Sequence, residues 1–381
     1  MSHKDTKTQR KASGIQHNNG GRSNPGIAPL VDRIAEISRR TGPVQIMEVC
    51  GTHTVSLFRT GIKSLMPAGV RLVSGPGCPV CVTSQGYIDA ACELAERPEV
   101  TICTYGDMVR VPGRTGSLER LRGRGAQVLV VYSARDAVKF AAAHPERQVI
   151  FLAVGFETTA PATAAAAIEA DRLGLDNFGI LTGHKLVIPA LEALLSGGDV
   201  PIDGFLLPGH VSVVIGVRVY EPVARDHGKP CVVTGFEPQQ MLVGIVRLME
   251  QIDEKRPRVD NVYSVVVRPE GNPAALRAIG EVFEPTDTIW RAMGVIPRSG
   301  LELRDKYRRF DALSRFGLTI GPDYDPPGCQ CGQVIQGKVE PADCPLFGIQ
   351  CTPAEPVGPC MVSSEGTCAA WYKYGRTTAR T

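Results

Sequence analysis

The sequence predicts an α/β protein built from two parallel-sheet α/β domains followed by a cysteine-rich C-terminal domain. Three observations point there. From about residue 42, short apolar runs alternate with helix-compatible stretches, the texture of βα units. Many of the runs are apolar throughout, as parallel strands are when helices cover both faces. Beyond about residue 270 Pro, Gly and Cys become dense, and six of the 12 cysteines fall between Cys329 and Cys368.

The first series of strands is QIMEVC (45–50), VRLVSG (70–75), EVTICTY (99–105) and QVLVVYS (127–133). The second is QVIFLAVG (148–155), FGILTG (178–183), GFLLPG (204–209), CVVTGF (231–236) and VYSVVV (262–267). Helices are expected over 84–97, 133–144, 159–174 and 238–251. The expected division is a polar, disordered tail at 1–27, α/β domains at 28–140 and 141–270, and a metal-binding domain at 271–381. So many turn formers are not expected to bury a large apolar core, and metal ligation would supply the missing stabilisation.

The 42 basic and 39 acidic residues are interspersed and leave a net charge of +3, which argues against a broad nucleic-acid surface. The longest apolar run, at 127–133, is far too short to span a bilayer, so no membrane role is expected. The polar start lacks the apolar stretch of a secretory signal, and the cytoplasm is the expected compartment. In a reducing compartment, 12 cysteines point to metal ligation or redox chemistry rather than a disulfide framework.

GPGCPVC (75–81) stands between a strand and a helix. The thiols of Cys78 and Cys81 are spaced to close a disulfide or share a metal, and a thiol at a helix start faces the positive end of the dipole. Half of a structural zinc site is the bland alternative. EVCGTHT (48–54) ends the first strand, and strand C-termini of an open parallel sheet form the binding crevice. Cys50, His53, Cys78 and Cys81 are therefore expected to converge on an iron or zinc ion, although Cys50 alone reads as a core cysteine and His53 as a loop histidine. Loops of the second series add Glu157, Thr158, His184, Lys185 and His210, any of which can equally cap a helix. No catalytic triad or phosphate loop is present.

In the C-terminal array, Cys344, Cys351, Cys360 and Cys368 are separated by turns and are the expected quartet for a [4Fe–4S] cluster. Cys329 and Cys331, one residue apart, are the alternative members or a redox pair. Structural zinc remains the other reading, without its usual CxxC knuckles.

Taken together, EVCGTHT, GPGCPVC, GFETTA, GHK, PGHVSVVIG and DCPLFGIQCTPAEPVGPCMVSSEGTCAAWYKYG make the chain resemble the HypD family of hydrogenase maturation proteins, from about residue 28 to about 376. The resemblance implies two related α/β domains and a domain binding one [4Fe–4S]. It also implies a part in building the Fe(CN)2CO unit of the [NiFe] site, with the small chaperone HypC and the cyanide donor HypE. Cys50, Cys78 and Cys81 match the family's functional thiols, with His53, Glu157 and Glu365 as supports. The expected chemistry has Cys50 holding a transient iron that receives cyanide and carbon monoxide, and the cluster setting the redox state of Cys78 and Cys81. A stand-alone iron–sulfur disulfide reductase and a zinc-stabilised scaffold are the rival readings.

Overall fold

A computed structural model describes residues 26–198 and 200–375. All but the last two residues of the expected tail lie outside the described residues, and Ile27 already opens the first helix, Ile27–Thr41. The strands are β1 (Val44–Glu48), β2 (Val70–Ser74), β3 (Val100–Thr104), β4 (Gln127–Val130), β5 (Gln148–Gly155), β6 (Phe178–His184), β7 (Gly204–Pro208), β8 (Cys231–Thr234), β9 (Val259–Asn261), β10 (Phe283–Trp290) and β11 (Gly294–Leu303). They form a five-stranded sheet in the order β2-β1-β7-β8-β9, a four-stranded sheet in the order β4-β3-β5-β6, and a β10-β11 hairpin. Every pairing in the two larger sheets is parallel.

Sheet membership departs from the division expected at 140/141. β4 and β5, on either side of that point, share the four-stranded sheet, while β1 and β2 join β7, β8 and β9. The chain starts one sheet, builds the whole of the other, and returns. Strand periodicity says nothing about this order, because pairing partners are non-local.

The five-stranded sheet buries one face under the helices Ile27–Thr41 and Pro238–Asp253. Ile34 and Ile37 recur on one helical face with Leu30 and have no exposed surface. Each such side chain stabilises by about 1.5–3 kcal/mol. β5 is buried over its last seven residues, as a central strand of a covered parallel sheet should be. Its neighbour helix Ala160–Arg172 begins with Pro161 in the first turn and lays a row of alanines on Phe151 and Ala153.

Three expectations of local structure are corrected. VYSVVV is a turn, with Val265 96% exposed; the strand ends earlier because the Asn261 side chain accepts from Tyr263 N (3.0 Å) and donates to Val267 O (3.0 Å), curling the chain. The C-terminal segment shares the main core: Val334, Ile335, Met361 and Val362 pack in one cluster with Val80, Val82 and Ile150. The β10-β11 hairpin was not expected, since Pro285 and the charges of β10 mask its alternation. Its end carries Trp290 and Arg291 inward, both without exposed surface.

Candidate functional site

The C-terminal ends of the two parallel sheets face a common cleft of about 420 Å³. The five-stranded sheet contributes Cys50 after β1, Pro208 at the end of β7 and His210 after it; the four-stranded sheet contributes Phe156 and Thr158 after β5. Gly77, Pro79 and Glu365 close the remaining side.

Cys50 is the N-cap residue of the helix Gly51–Arg59. The chain can pass here only because glycine stands at two close approaches. A Cβ on Gly77 would overlap the Cys50 backbone, and one on Gly51 would overlap Glu365. Gly51 N donates to Gly77 O (3.0 Å), tying the two motifs together. Beneath them the buried Glu48 carboxylate accepts from Cys50 N (3.0 Å) and from the Thr54 hydroxyl. Burial raises the Glu48 carboxyl to about 7. The Cys50 thiol is pushed up to about 12 by burial, opposed by the backbone N–H groups of His53 and Thr52, with the charges of Glu48 and Glu365 adding to the rise. Thr52 Oγ1 donates to Glu365 Oε1 (2.7 Å), so the C-terminal segment is latched onto the Cys50 helix.

Cys78 and Cys81 are both buried and form a disulfide, their Cα atoms 5.2 Å apart. Gly77 and Pro79 reach the cleft surface on either side of Cys78, so the pair lies just behind the cleft wall. Cys50, Cys78 and Cys81 are thus brought together around Gly77, but in the disulfide state the latter two present no thiolate to a metal.

His53 does not join them. Its Nε2 donates to Gly235 O (3.0 Å) and its ring packs on Phe236 at 4.8 Å, toward the loop after β8. Burial lowers it to about 4, so the ring is neutral. Glu157 also turns away: Oε1 accepts from Val187 N (2.9 Å) at the start of the helix Val187–Gly197, and burial raises its carboxyl to about 7. His184 Nε2 lies 3.0 Å from Thr163 Oγ1. Lys185 donates to Thr288 Oγ1 (2.9 Å) and Ile289 O (3.0 Å), holding the hairpin. Of the five loop residues expected at the crevice, Thr158 and His210 line the cleft, the latter stacked on Phe236 at 3.9 Å.

The second sulfur site is at the C-terminus. The thiols of Cys329, Cys331, Cys360 and Cys368 form a chain, each hydrogen-bonded to the next. Cys368 N also donates to Cys360 Sγ (3.2 Å), Cys331 N to Cys329 Sγ (3.4 Å), and Val357 N to Cys351 Sγ (3.3 Å). Cys351 is buried in the same cluster as Cys360 and Cys368. Cys344 stands at the rim, its Sγ 4.0 Å from Gly328 O beside Cys329. Of the expected quartet, Cys360 and Cys368 are in the chain, Cys351 adjoins it, and Cys344 is the outermost. Among the described residues no three His, Cys, Asp or Glu side chains converge on a point fit for a single metal ion. A four-iron cluster takes one thiolate per iron, which spreads its ligands around a larger body.

Sequence reasoning missed three parts of this arrangement. Glu48 is inside a quoted motif, but its role under Cys50 depends on the helix start. The apolar wall of Val211, Val213 and Val214 reads as ordinary helix core. Arg291, from the unexpected hairpin, lies between the two sulfur sites: its backbone N donates to Val82 O (2.9 Å) and its charge acts on Cys331.

Comparison with known proteins bears on all of this. The HypD family model, described as the Hydrogenase formation hypA family, matches residues 26–375. The chain is 45% identical over 355 residues to the hydrogenase maturation factor HypD of Azotobacter vinelandii, covering 91% of this chain and 93% of that one. It is 46% identical over 338 residues to its counterpart in Cupriavidus necator, covering 87% and 89%. To that of Escherichia coli strain K12 it is 47% identical over 333 residues, again covering 87% and 89%. Among the described residues no helix is long and apolar enough to cross a membrane.

Proposed function

This chain belongs to the HypD family of hydrogenase maturation factors, and on that premise we propose that it takes part in assembling the Fe(CN)2CO unit of a [NiFe] hydrogenase in the cytoplasm, with a HypC-type chaperone and a HypE-type cyanide donor. One observation carries this reading: Cys50 sits at a helix start, in a cleft walled by both sheets, with the Cys78–Cys81 pair directly behind it.

The iron is cargo in this reading, held between Cys50 and the chaperone while its diatomic ligands are added. Metal binding requires the Cys50 thiol to lose its proton, so uptake releases a proton that the site must accept. The helix-start N–H groups favour the thiolate, and the apolar wall of Phe156 and the three valines keeps water from the cargo. Opening the Cys78–Cys81 disulfide consumes two electrons and two protons and yields two thiols beside the cargo site.

The C-terminal thiols suit a resident [4Fe–4S] cluster held by Cys344, Cys351, Cys360 and Cys368, with Cys329 and Cys331 alongside. Part of that lining supports it: Cys351, Cys360 and Cys368 are buried, the last two in contact, and backbone N–H groups are aimed at the sulfurs of Cys351 and Cys360, the surroundings that stabilise cluster sulfur. When bound, such a cluster supplies one-electron transfer.

The test is anaerobic co-purification with the HypC-type partner, followed by infrared spectroscopy. Cyanide and carbonyl stretches are expected on the wild-type complex and absent from Cys50→Ala; stretches that survive the substitution would remove Cys50 as the ligand. Zinc without iron or sulfide would favour the scaffold reading. Turnover of a disulfide substrate by the purified chain alone would favour the reductase.

A further inference from the structure

Lys185 is the one buried lysine among the described residues, 4% exposed, and the GHK stretch that carries it takes no part in the sulfur chemistry. It follows β6 directly. Its backbone N donates to Gly155 O (2.9 Å), and it bridges to Gly300 on β11. The side chain reaches the other strand of the hairpin, where Nζ donates to Thr288 Oγ1 (2.9 Å) and Ile289 O (3.0 Å). Gly300 makes room for this approach, because a Cβ there would overlap the Thr288 side chain.

Both acceptors belong to residues that line a partly open cavity of about 200 Å³, which Thr182, Lys185 and Asp287 also line and which shares no residue with the Cys50 cleft. A second hollow of about 240 Å³ adjoins it through Thr182, Asp287 and Thr288 and adds Glu302, Arg308 and Asp311. The nearest carboxylates are engaged elsewhere. Asp323 Oδ1 accepts from Gln85 N (2.8 Å) and Oδ2 from Ala292 N (3.0 Å), while Asp287 Oδ1 accepts from Arg298 N (2.9 Å). Lys185 forms no ion pair among the described residues, unlike Lys63, which lies 3.4 Å from Glu340. The Trp290 ring, 6.0 Å from Nζ, is at the limit of a cation–π contact. An ammonium here buries a charge with one of its three protons unmatched. The neutral amine has two N–H groups, both matched, and a lone pair left for the cavity. Burial accordingly lowers the group from an ordinary 10.5 to about 7, opposed by the charge of Asp323.

We propose that Lys185 is a nucleophilic amine that condenses with a small hydroxylated carbonyl compound in this cavity to form an imine. The amine nitrogen attacks the carbonyl carbon and a C–N bond forms. The carbonyl oxygen leaves as water with both amine hydrogens, and nothing is oxidised or reduced. A proton from solvent converts the imine to the iminium, whose single N–H has Thr288 Oγ1 or Ile289 O to accept it. The charge of the lining selects this adduct over a carbamate, since Asp287 favours a positive product and disfavours a negative one. Thr182 and Thr288 supply hydroxyls for a polar substrate.

The test is incubation of the full-length chain with hydroxyacetone and cyanoborohydride at neutral pH, which reduces the iminium to a stable secondary amine located by peptide mass spectrometry. An amine titrating at about 7 holds on the order of a thousandfold more neutral form there than an ordinary lysine. With entry restricted by the cavity, Lys185 is expected to be labelled about tenfold faster than the exposed Lys139, a preference that urea should erase. Asp287→Asn should slow labelling at Lys185 several-fold and leave Lys139 unchanged. The wild-type rates decide the matter if that variant does not fold. Labelling of Lys185 no faster than of Lys139 overturns the inference, as does a preference that survives in urea. Unchanged or faster labelling in a folded Asp287→Asn chain also overturns it. So does a carbamate signal at Lys185 by carbon NMR with isotopically labelled bicarbonate, where hydroxyacetone leaves no adduct.

Discussion

The two sulfur regions are built on different principles. Cys50 is placed by long-range order: a strand register, a helix start and two glycine contacts hold one thiol in a cleft between sheets. The C-terminal cysteines are placed by short turns and helices of four to eight residues, which bring thiol against thiol. At Cys331 the hydrogen bond with Cys329 favours the thiolate, but the one with Cys360 and burial outweigh it. A lone thiol on a rigid frame suits cargo that arrives and leaves. Crowded sulfurs on short turns suit the resident metal proposed above, whose loss would then be felt first in their own segment.

The largest expected effect separates the two directly. Stripping metal with a chelator should destabilise the chain by about 4 kcal/mol, the linkage expected for a ligand at a thousand times its Kd. Amide exchange should then rise first around residues 329–368 while β5 stays protected. Cys50→Ala should abolish maturation and leave the melting temperature nearly unchanged. Equal loss of protection in both regions would break the contrast.

The next effect is pH dependence in the cleft region. Glu48 is raised from an ordinary 4.5 to about 7, so the unfolded chain ionises first. Stability contributed by the protonated form is complete below 4.5 and is lost as pH rises to about 7, by roughly 3 kcal/mol. His53 runs the other way: depressed from 6.5 to about 4, it costs stability as pH falls through that window. Urea unfolding should show Glu48→Gln gaining on the wild type as pH rises, and His53→Gln gaining as pH falls. Parallel curves for Glu48→Gln and wild type would show that the carboxyl is not held protonated.

Glycine substitutions sharpen the comparison at about 1–3 kcal/mol, the cost of overpacking. Gly77→Ala strikes the Cys50 backbone and Gly366→Ala the Cys360 backbone, whereas Gly123→Ala meets nothing within 4 Å. The first should impair iron loading at Cys50 with cluster content normal, the second should lower cluster content, and the third should unfold like the wild type. The smallest effect belongs to the surface. Arg40→Ala, losing a 2.7 Å pair with Asp253 on the solvent-exposed surface, should leave thermal unfolding nearly unchanged.

Local order was legible in the sequence. Eight of the nine expected strands are present, because apolar β runs bounded by turn formers need little context. The placement of EVCGTHT and GPGCPVC at neighbouring strand ends also held, since β1 and β2 pair in parallel with Glu48 opposite Ser74. The sequence alone therefore determined the α/β class, the two sulfur-bearing stretches and the family. Only the tertiary structure decided which strands share a sheet, that His53 and Glu157 turn from the cleft to backbone partners, and that the Trp290–Arg291 turn is driven between the sulfur sites. The physical reason is range: strand and helix formation follow from neighbours along the chain, whereas a buried polar side chain aims at whichever partner the distant chain brings within hydrogen-bonding reach.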